Sequence, residues 1–122
     1  MRTLPVIFLC FFTIAVAACG GKPAPPKGEK WGAYRTAILE KHAVDIDNFR
    51  DQLPGGLADG QDITKYDLDQ LLLGIKIEME HTSEKLKALE IATDHLEEIP
   101  DYYTRLEEME EQYEREVKAA KK

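Results

Sequence analysis

Two short stretches of the chain carry the residue types that bind metals or transfer protons. In DHLEEIPDYYTRL, residues 94–106, Asp94 and His95 stand side by side and Glu98 follows three residues after His95. Upstream, Glu78 and His81 have the i, i+3 spacing that di-iron helical bundles use. Carboxylates and imidazoles are ligands for first-row transition metals. One alternative for this protein is therefore metal binding or metal sensing through these five residues.

The helices that must carry these residues argue against one shared site in a single chain. If the chain reverses at Thr82 and Ser83, the two helices pair position 78 with 89 and position 72 with 95. His95 then lies roughly 18 Å from the turn, whereas His81 lies at the turn. We therefore expect no metal and no cofactor, and we expect these side chains to have a structural role.

The same stretch also has the pattern of a corner between two helices. Pro100 suits the first turn of the second helix, where its missing N–H needs no partner. Asp94 and Arg105 are expected to lie at similar heights and to form a salt bridge, while His95 and Glu98 are expected to hydrogen-bond across the corner. The residues of this predicted corner are Asp94, His95, Glu98, Pro100, Tyr102, Tyr103 and Arg105.

Residues for covalent catalysis are scarce in the predicted folded part. It has no cysteine, and its one serine, Ser83, follows His81 in a turn without the elbow motif of hydrolases. The acids of residues 107–116 have the spacing of a solvated helix face, and paired-acid hydrolysis needs two carboxyl groups across a cleft. We therefore predict no catalytic residues and no enzyme activity.

Apolar residues recur every three or four positions in four segments, which predicts four amphipathic helices. The first is an N-terminal helix over residues 31–53, with His42 as a partly buried packing residue, and Pro54 and the glycines after it end it. The second has Asp67 as its N-cap, and Gly74 inside it indicates close contact with another backbone.

Thr82 or Ser83 is expected to cap the third helix. The fourth is predicted to carry an apolar stripe from Tyr102 to Val117. No alternating run of strand length occurs, so the predicted fold class is all-α, a small bundle of three to four helices.

The N-terminus has the composition of a bacterial signal peptide. Arg2 supplies a short positively charged region, and residues 4–16 form an apolar run that is too short to span a bilayer permanently. The run ends in Val16-Ala17-Ala18-Cys19, which resembles the lipobox of bacterial lipoproteins. This pattern predicts a lipoprotein signal peptide over residues 1–18 and acylation of Cys19.

An acylated Cys19 anchors a protein to a membrane without spanning it. The alternative, an ordinary secretory signal cut after Ala18, leaves Cys19 as a lone thiol, because Cys10 is removed with the signal. Gly20 differs from the aspartate that resembles an inner-membrane retention signal. We therefore expect a cell-envelope protein, on the outer membrane and facing the periplasm in a host with two membranes.

After the cysteine, the composition changes to that of a spacer. Residues 19–30 are predicted to be the lipidated cysteine and a flexible linker, because their prolines and glycines favour an extended chain, with roughly 30 Å of reach. The precursor has a formal net charge of −7, which becomes −8 when Arg2 is removed with the signal. Such an acidic chain is a poor partner for nucleic acid.

The centre of the chain contains two distinctive segments, GIKIEMEHT, residues 74–82, and ALEIATDHLEEIPDYYTRLEEME, residues 88–110. In their order and spacing they resemble a small bacterial and phage family known only as a domain of unknown function. The resemblance covers roughly residues 66–110, within a predicted helical domain over residues 63–120. The predicted first helix lies outside it. The resemblance implies no activity.

Two functions remain as expectations. The first is a membrane-anchored lipoprotein that acts as a non-catalytic binding or structural module, with a protein partner or a second copy bound through its helical faces. The second is the metal-binding or metal-sensing lipoprotein built on the acids and histidines described above.

Overall fold

The computed structural model describes residues 27–122, and the fold of this part is all-α. Its four α-helices span Trp31–His42 (α1), Leu68–Glu78 (α2), Lys85–Glu98 (α3) and Tyr102–Ala120 (α4), and no strand occurs among the described residues. Two 3-10 turns, Ile46–Asn48 and Ile63–Lys65, lie in the connection between α1 and α2. The predicted small helical bundle is confirmed.

The first helix is shorter than the predicted helix over residues 31–53. α1 ends at His42, and Ala43 has a left-handed backbone with φ of 53°. Asp45 then accepts a hydrogen bond from the Asp47 N–H at 2.9 Å. Such local side-chain-to-backbone bonds compete with continuation of a helix. The prediction of a helix is therefore wrong for residues 43–53.

The connection between α1 and α2 is long but packed against the helices. Its turn after Pro54 uses Gly55, with φ of 81°, a conformation that glycine adopts at little cost. The apolar side chains of this connection enter the core, and the buried ones are Ile46, Phe49, Ala58, Ile63 and Tyr66. The apolar spacing of residues 43–53 therefore marks burial, not helix.

α2 and α3 pack together and form the centre of the core. The side chain of Asp67 accepts from the Gln70 N–H at 3.0 Å, so the predicted N-cap of α2 is confirmed. The start of α3 differs from the prediction, because Glu84 is its N-cap and Thr82 Oγ1 instead accepts from the Glu84 N–H at 3.2 Å. The predicted apolar stripes are buried at Leu71, Leu72 and Ile75 of α2 and at Leu89, Ala92 and Leu96 of α3.

At Gly74, α2 lies in close contact with side chains of α3 and α4. A Cβ atom built there would lie 2.8 Å from the Ala92 Cβ and 2.5 Å from the Tyr103 Cε2. The predicted close contact is confirmed, but the neighbouring atoms belong to side chains of α3 and α4 and not to a backbone. Only glycine fits this position without a shift of its neighbours.

The predicted signal peptide, Cys19 and the linker as far as residue 26 lie outside the described residues. Residues 27–30 of the predicted linker contact the domain: Lys27 Nζ donates to Asp47 Oδ1 at 2.7 Å, and the Gly28 N–H donates to Asp62 Oδ2 at 3.3 Å. Between residues 27 and 122, no helix is both long and apolar enough to cross a membrane.

Candidate functional site

The corner between α3 and α4 is held by a side chain from α2. α4 begins at Tyr102, so Pro100 precedes the helix. The prediction that Pro100 lies in the first turn of this helix is therefore wrong. The N-cap, Asp101, makes no side-chain cap bond. Gln70 replaces it, since its Oε1 accepts from the Tyr103 N–H at 3.1 Å. This bond satisfies one of the N–H groups that a helix start leaves unpaired.

Tyr103 is the buried anchor of α4, with no exposed surface. Its hydroxyl donates to Glu78 Oε1 at 2.7 Å. Burial, together with the Glu78 carboxylate, raises the pKa of Tyr103 well above its ordinary value. The tyrosine therefore stays protonated and keeps donating to Glu78.

His95 contacts the tyrosines of the corner through its ring, and not through the hydrogen bond that was predicted. It stacks on Tyr102 with ring centroids 4.3 Å apart and lies edge-on to Tyr103 at 6.2 Å. Its Nε2 lies 3.6 Å from Glu78 Oε1. Glu98, which was expected to hydrogen-bond across the corner, is exposed, and Glu78 accepts from the Tyr103 hydroxyl instead.

The predicted salt bridge between Asp94 and Arg105 is wrong. Arg105 Nε donates to Asp101 Oδ1 at 2.7 Å, one turn back along its own helix. Asp94 faces the connection between α1 and α2, where its Oδ1 accepts from the Ala58 N–H at 2.8 Å. A Cβ atom at Gly56 would lie 2.7 Å from both Asp94 carboxylate oxygens, so the loop backbone lies directly on this side chain.

A second carboxylate, which sequence reasoning missed, holds the same loop. Glu90 is 1% exposed. Its Oε1 accepts from the N–H groups of Gln52 at 2.8 Å and Leu53 at 2.7 Å. The signal was present in the sequence, because Glu90 stands four residues after Leu86 and three before Thr93, on the buried stripe of α3.

The five residues of the predicted metal set do not converge. Glu78 and His95 are neighbours, but Asp94 faces the Ala58 loop, and His81 and Glu98 are exposed. Glu78 already accepts a hydrogen bond from the Tyr103 hydroxyl, and the half-buried Asp94 accepts one from the Ala58 N–H.

Within the described part of the chain, the carboxylates that approach closely enough to hold an ion are Asp51, Asp59 and Glu90, all within 4.8 Å of one another. Asp51 Oδ2 accepts from the Gly60 N–H at 2.8 Å, and Glu90 accepts from the loop as described above. These hydrogen bonds fix the loop. They give a structural reason for the cluster, and we assign it no metal.

His42 has the packing role that was predicted. It is half-buried at the end of α1, and its Nε2 lies 2.8 Å from the Leu72 carbonyl oxygen. A carbonyl only accepts, so this nitrogen carries the proton. Burial lowers the pKa of His42 below its ordinary value, which favours the neutral ring.

α4 leaves the core soon after its start. From Glu107 onward every residue except the half-buried Val117 is exposed. We call residues 107–120 the overhang. Met109 is 61% exposed and Tyr113 is 68% exposed, and both are large apolar side chains. A surface groove beside the start of the overhang is lined by Ile99, Tyr102, Arg105, Leu106 and Met109.

The chain matches the model of one protein family over more than half of its length. A family model described as a protein of unknown function (DUF5661) matches residues 35–112. The chain belongs to the DUF5661 family. The DUF5661 match is wider than the predicted resemblance over residues 66–110, and it includes most of α1, which had been placed outside. No curated protein and no solved structure matches the chain.

The DUF5661 match contains the corner, Glu90 and the loop that Glu90 holds. It ends at residue 112, so the second half of the overhang lies beyond it. The DUF5661 description names no activity. Of the surfaces described above, the overhang is the one that presents large apolar side chains to solvent along a regular element.

Proposed function

We propose that the protein is a membrane-anchored bacterial lipoprotein whose domain is a non-catalytic binding module of the cell envelope. The domain binds another protein through the apolar side of the overhang. The observation that supports this proposal is the exposure of Met109 and Tyr113 on one face of α4, in the part of the helix that extends beyond the core. Exposed apolar patches of this kind are typical of protein-binding surfaces.

The anchor is supported by the sequence around Cys19. The apolar run, the small residues and the cysteine occur in the order that lipoprotein processing requires. Residue 27 already contacts the domain through its ion pair with Asp47 at 2.7 Å. The stretch from Cys19 to Lys27 spans at most about 29 Å, so the anchor holds the domain close to the membrane surface.

A non-catalytic role agrees with the way the polar residues of the corner are used. Glu78 receives the Tyr103 hydroxyl, His95 is stacked on Tyr102, and Asp94 holds the loop backbone at Ala58. These contacts position one element on another. None of them aims a nucleophile or a base at a cleft.

The anchor is tested by the mass of the N-terminal peptide of the full chain expressed in a bacterial host. We expect a mature chain that begins at Cys19 and carries acyl groups. Cys19→Ser abolishes acylation and leaves the precursor uncut, whereas the matched change Cys10→Ser, inside the signal, leaves processing unaltered. An unmodified Cys19 in the parent chain would contradict the anchor.

The binding face is tested with a photo-crosslinking amino acid in intact cells. Position 113 lies on the apolar side of the overhang, and position 115 is the matched control, because both residues are exposed but their side chains point in nearly opposite directions. We expect a discrete protein adduct from position 113 and none from position 115. Equal labelling at both positions, or no adduct at position 113, overturns this part of the proposal.

A further inference from the structure

The apolar side of the overhang has the spacing of a helix-pairing seam. Together with Leu106, which immediately precedes the overhang, the residues of this seam follow one another at intervals of three or four: Leu106, Met109, Tyr113, Val117 and Ala120. Isolated helices of this length are marginal in water, and ion pairs within the helix, such as Glu111 with Arg115 at 3.5 Å, add little. A partner helix along the seam removes the apolar side chains from water and stabilises the overhang.

The charge differs between the first half of α4 and the stretch formed by its last residues and the two lysines that follow it. Residues 105–111 contain one arginine and four glutamates, a formal net charge of −3, whereas residues 115–122 contain four cations and one glutamate, a formal net charge of +3. Packed helices lie about 8–10 Å apart, which is close to the Debye length of about 8 Å at physiological ionic strength. A parallel pair of α4 helices places halves of like charge side by side, and these repel each other. An antiparallel pair places halves of opposite charge side by side, and these attract each other.

The side chains of the seam also match in the antiparallel arrangement. Met109 and Val117 each lie four residues from Tyr113, and Leu106 and Ala120 each lie seven residues from it. With Tyr113 against Tyr113 at the centre, each large side chain near the domain therefore meets a smaller one near the helix end. The groove beside Ile99 and Leu106 then receives the small Ala120 of the second copy.

We propose that the partner of the overhang is a second copy of this chain, bound antiparallel through α4 with Tyr113 at the twofold centre. This inference rests on the proposed function, whose binding face it uses, and it names the occupant. The result is a symmetric dimer in which the same surface of both copies is buried.

The arrangement is tested by disulfide formation between two full chains that carry different tags and are expressed together. One chain has Met109→Cys and the other has Val117→Cys. In the antiparallel pair these positions face each other, within reach of the Cα separation of about 4.4–6.8 Å that a disulfide requires. We expect a mixed disulfide on mild oxidation, identified by the peptide that contains both cysteines.

Two controls use the same helix. Glu108→Cys with Lys118→Cys has the same register about Tyr113, but these positions lie about 140° around the helix from it, so we expect no disulfide. Met109→Cys alone is also expected to give none, because the two copies of this residue lie about 12 Å apart along the axis. A disulfide from Met109→Cys alone, with none in the mixed pair, indicates parallel helices and overturns the proposal.

The failure of this inference is distinct from the failure of the proposed function. An adduct from position 113 to a different protein, without the Met109–Val117 disulfide, supports the binding face and overturns self-pairing. The absence of both removes the binding face as well. Because all four substituted positions, 108, 109, 117 and 118, lie in the overhang, outside the core, the variants are expected to fold like the parent.

Discussion

At the scale of single residues, two carboxylates of α3 hold the connection between α1 and α2 in place through hydrogen bonds to its backbone. Glu90 accepts from Gln52 and Leu53, and Asp94 accepts from Ala58. A buried charge is strongly destabilising unless it is paired or hydrogen-bonded, and the loop backbone supplies the donors that Glu90 needs. The loop and the two acids therefore stabilise each other.

We predict that Glu90→Gln lowers the free energy of unfolding by about 2 kcal/mol, because hydrogen bonds to a charged acceptor each contribute about 1.5–3 kcal/mol and the amide replaces one accepting oxygen by a donor. The measurement is urea denaturation followed by circular dichroism. Glu98→Gln is the matched control, since it is the same change on the same helix at an exposed position, and we expect less than about 0.5 kcal/mol from it. Equal effects of the two changes would contradict the role of Glu90.

The residue-scale predictions from sequence succeeded for contacts that are near in the chain. The predicted cap at Asp67 accepts from Gln70, three positions away, and His95 meets Tyr102, seven positions away, although by ring stacking and not by the predicted hydrogen bond. The partners of Asp94 and Glu90 are 36 to 38 positions away and are backbone N–H groups, which have no sequence signature. For that reason Asp94 was assigned to Arg105, a charged residue that was near in sequence.

At the scale of elements, the fold depends on the close approach of α2, α3 and α4 at Gly74. The nearest atoms belong to Ala92 on α3 and to the ring of Tyr103 on α4. The ring is itself fixed by its hydroxyl bond to Glu78, so it cannot easily move away from an added methyl group. Glycine is thus required here for space, despite its low helix propensity.

We predict that Gly74→Ala lowers the free energy of unfolding by about 1–2 kcal/mol. Overpacking costs about 1–3 kcal/mol, and the better helix propensity of alanine offsets part of that loss. Gly32→Ala is the matched control in α1, where no atom lies within 4 Å of the added Cβ, and we expect a small gain of about 0.5 kcal/mol. Thermal denaturation of both variants checks the opposite signs, and a gain from Gly74→Ala would refute the packing argument.

Apolar periodicity predicts which residues are buried, but it does not by itself predict that they lie in a helix. α2 and α3 were located by it, because each buries one continuous stripe against the core. The stripe after His42 is also buried, yet Ile46 and Phe49 reach the core from a 3-10 turn and a loop. Spacing reports which residues face the core, and the aspartates near residue 45 were the available sign that the helix had ended.

At the scale of the whole molecule, the described chain has a packed core and a helical overhang that contribute differently to stability. Tyr103 belongs to the core and Tyr113 to the overhang, although both lie on α4. With an anchor at Cys19, the overhang would be confined to a layer near the membrane, where tethering raises the effective concentration of a second copy.

This division predicts very different losses of stability for one substitution made at two places on α4. Tyr103→Ala removes a side chain with no exposed surface and leaves Glu78 without its donor, so we expect a loss of about 3–5 kcal/mol. Tyr113→Ala removes a side chain that is 68% exposed, and we expect less than about 0.5 kcal/mol. Chemical denaturation at low protein concentration measures both changes, because pairing through α4 contributes least there.

Tyr103→Phe extends the test if Tyr103→Ala does not fold. It keeps the ring against Gly74 and removes only the hydroxyl bond to Glu78, so we expect an intermediate loss of about 1–3 kcal/mol.

As the protein concentration rises, the apparent stability of Tyr113→Ala should become lower than that of the parent chain, because the parent is stabilised by pairing and the variant is not. A concentration-independent result for both chains would leave the core intact and refute the antiparallel pair.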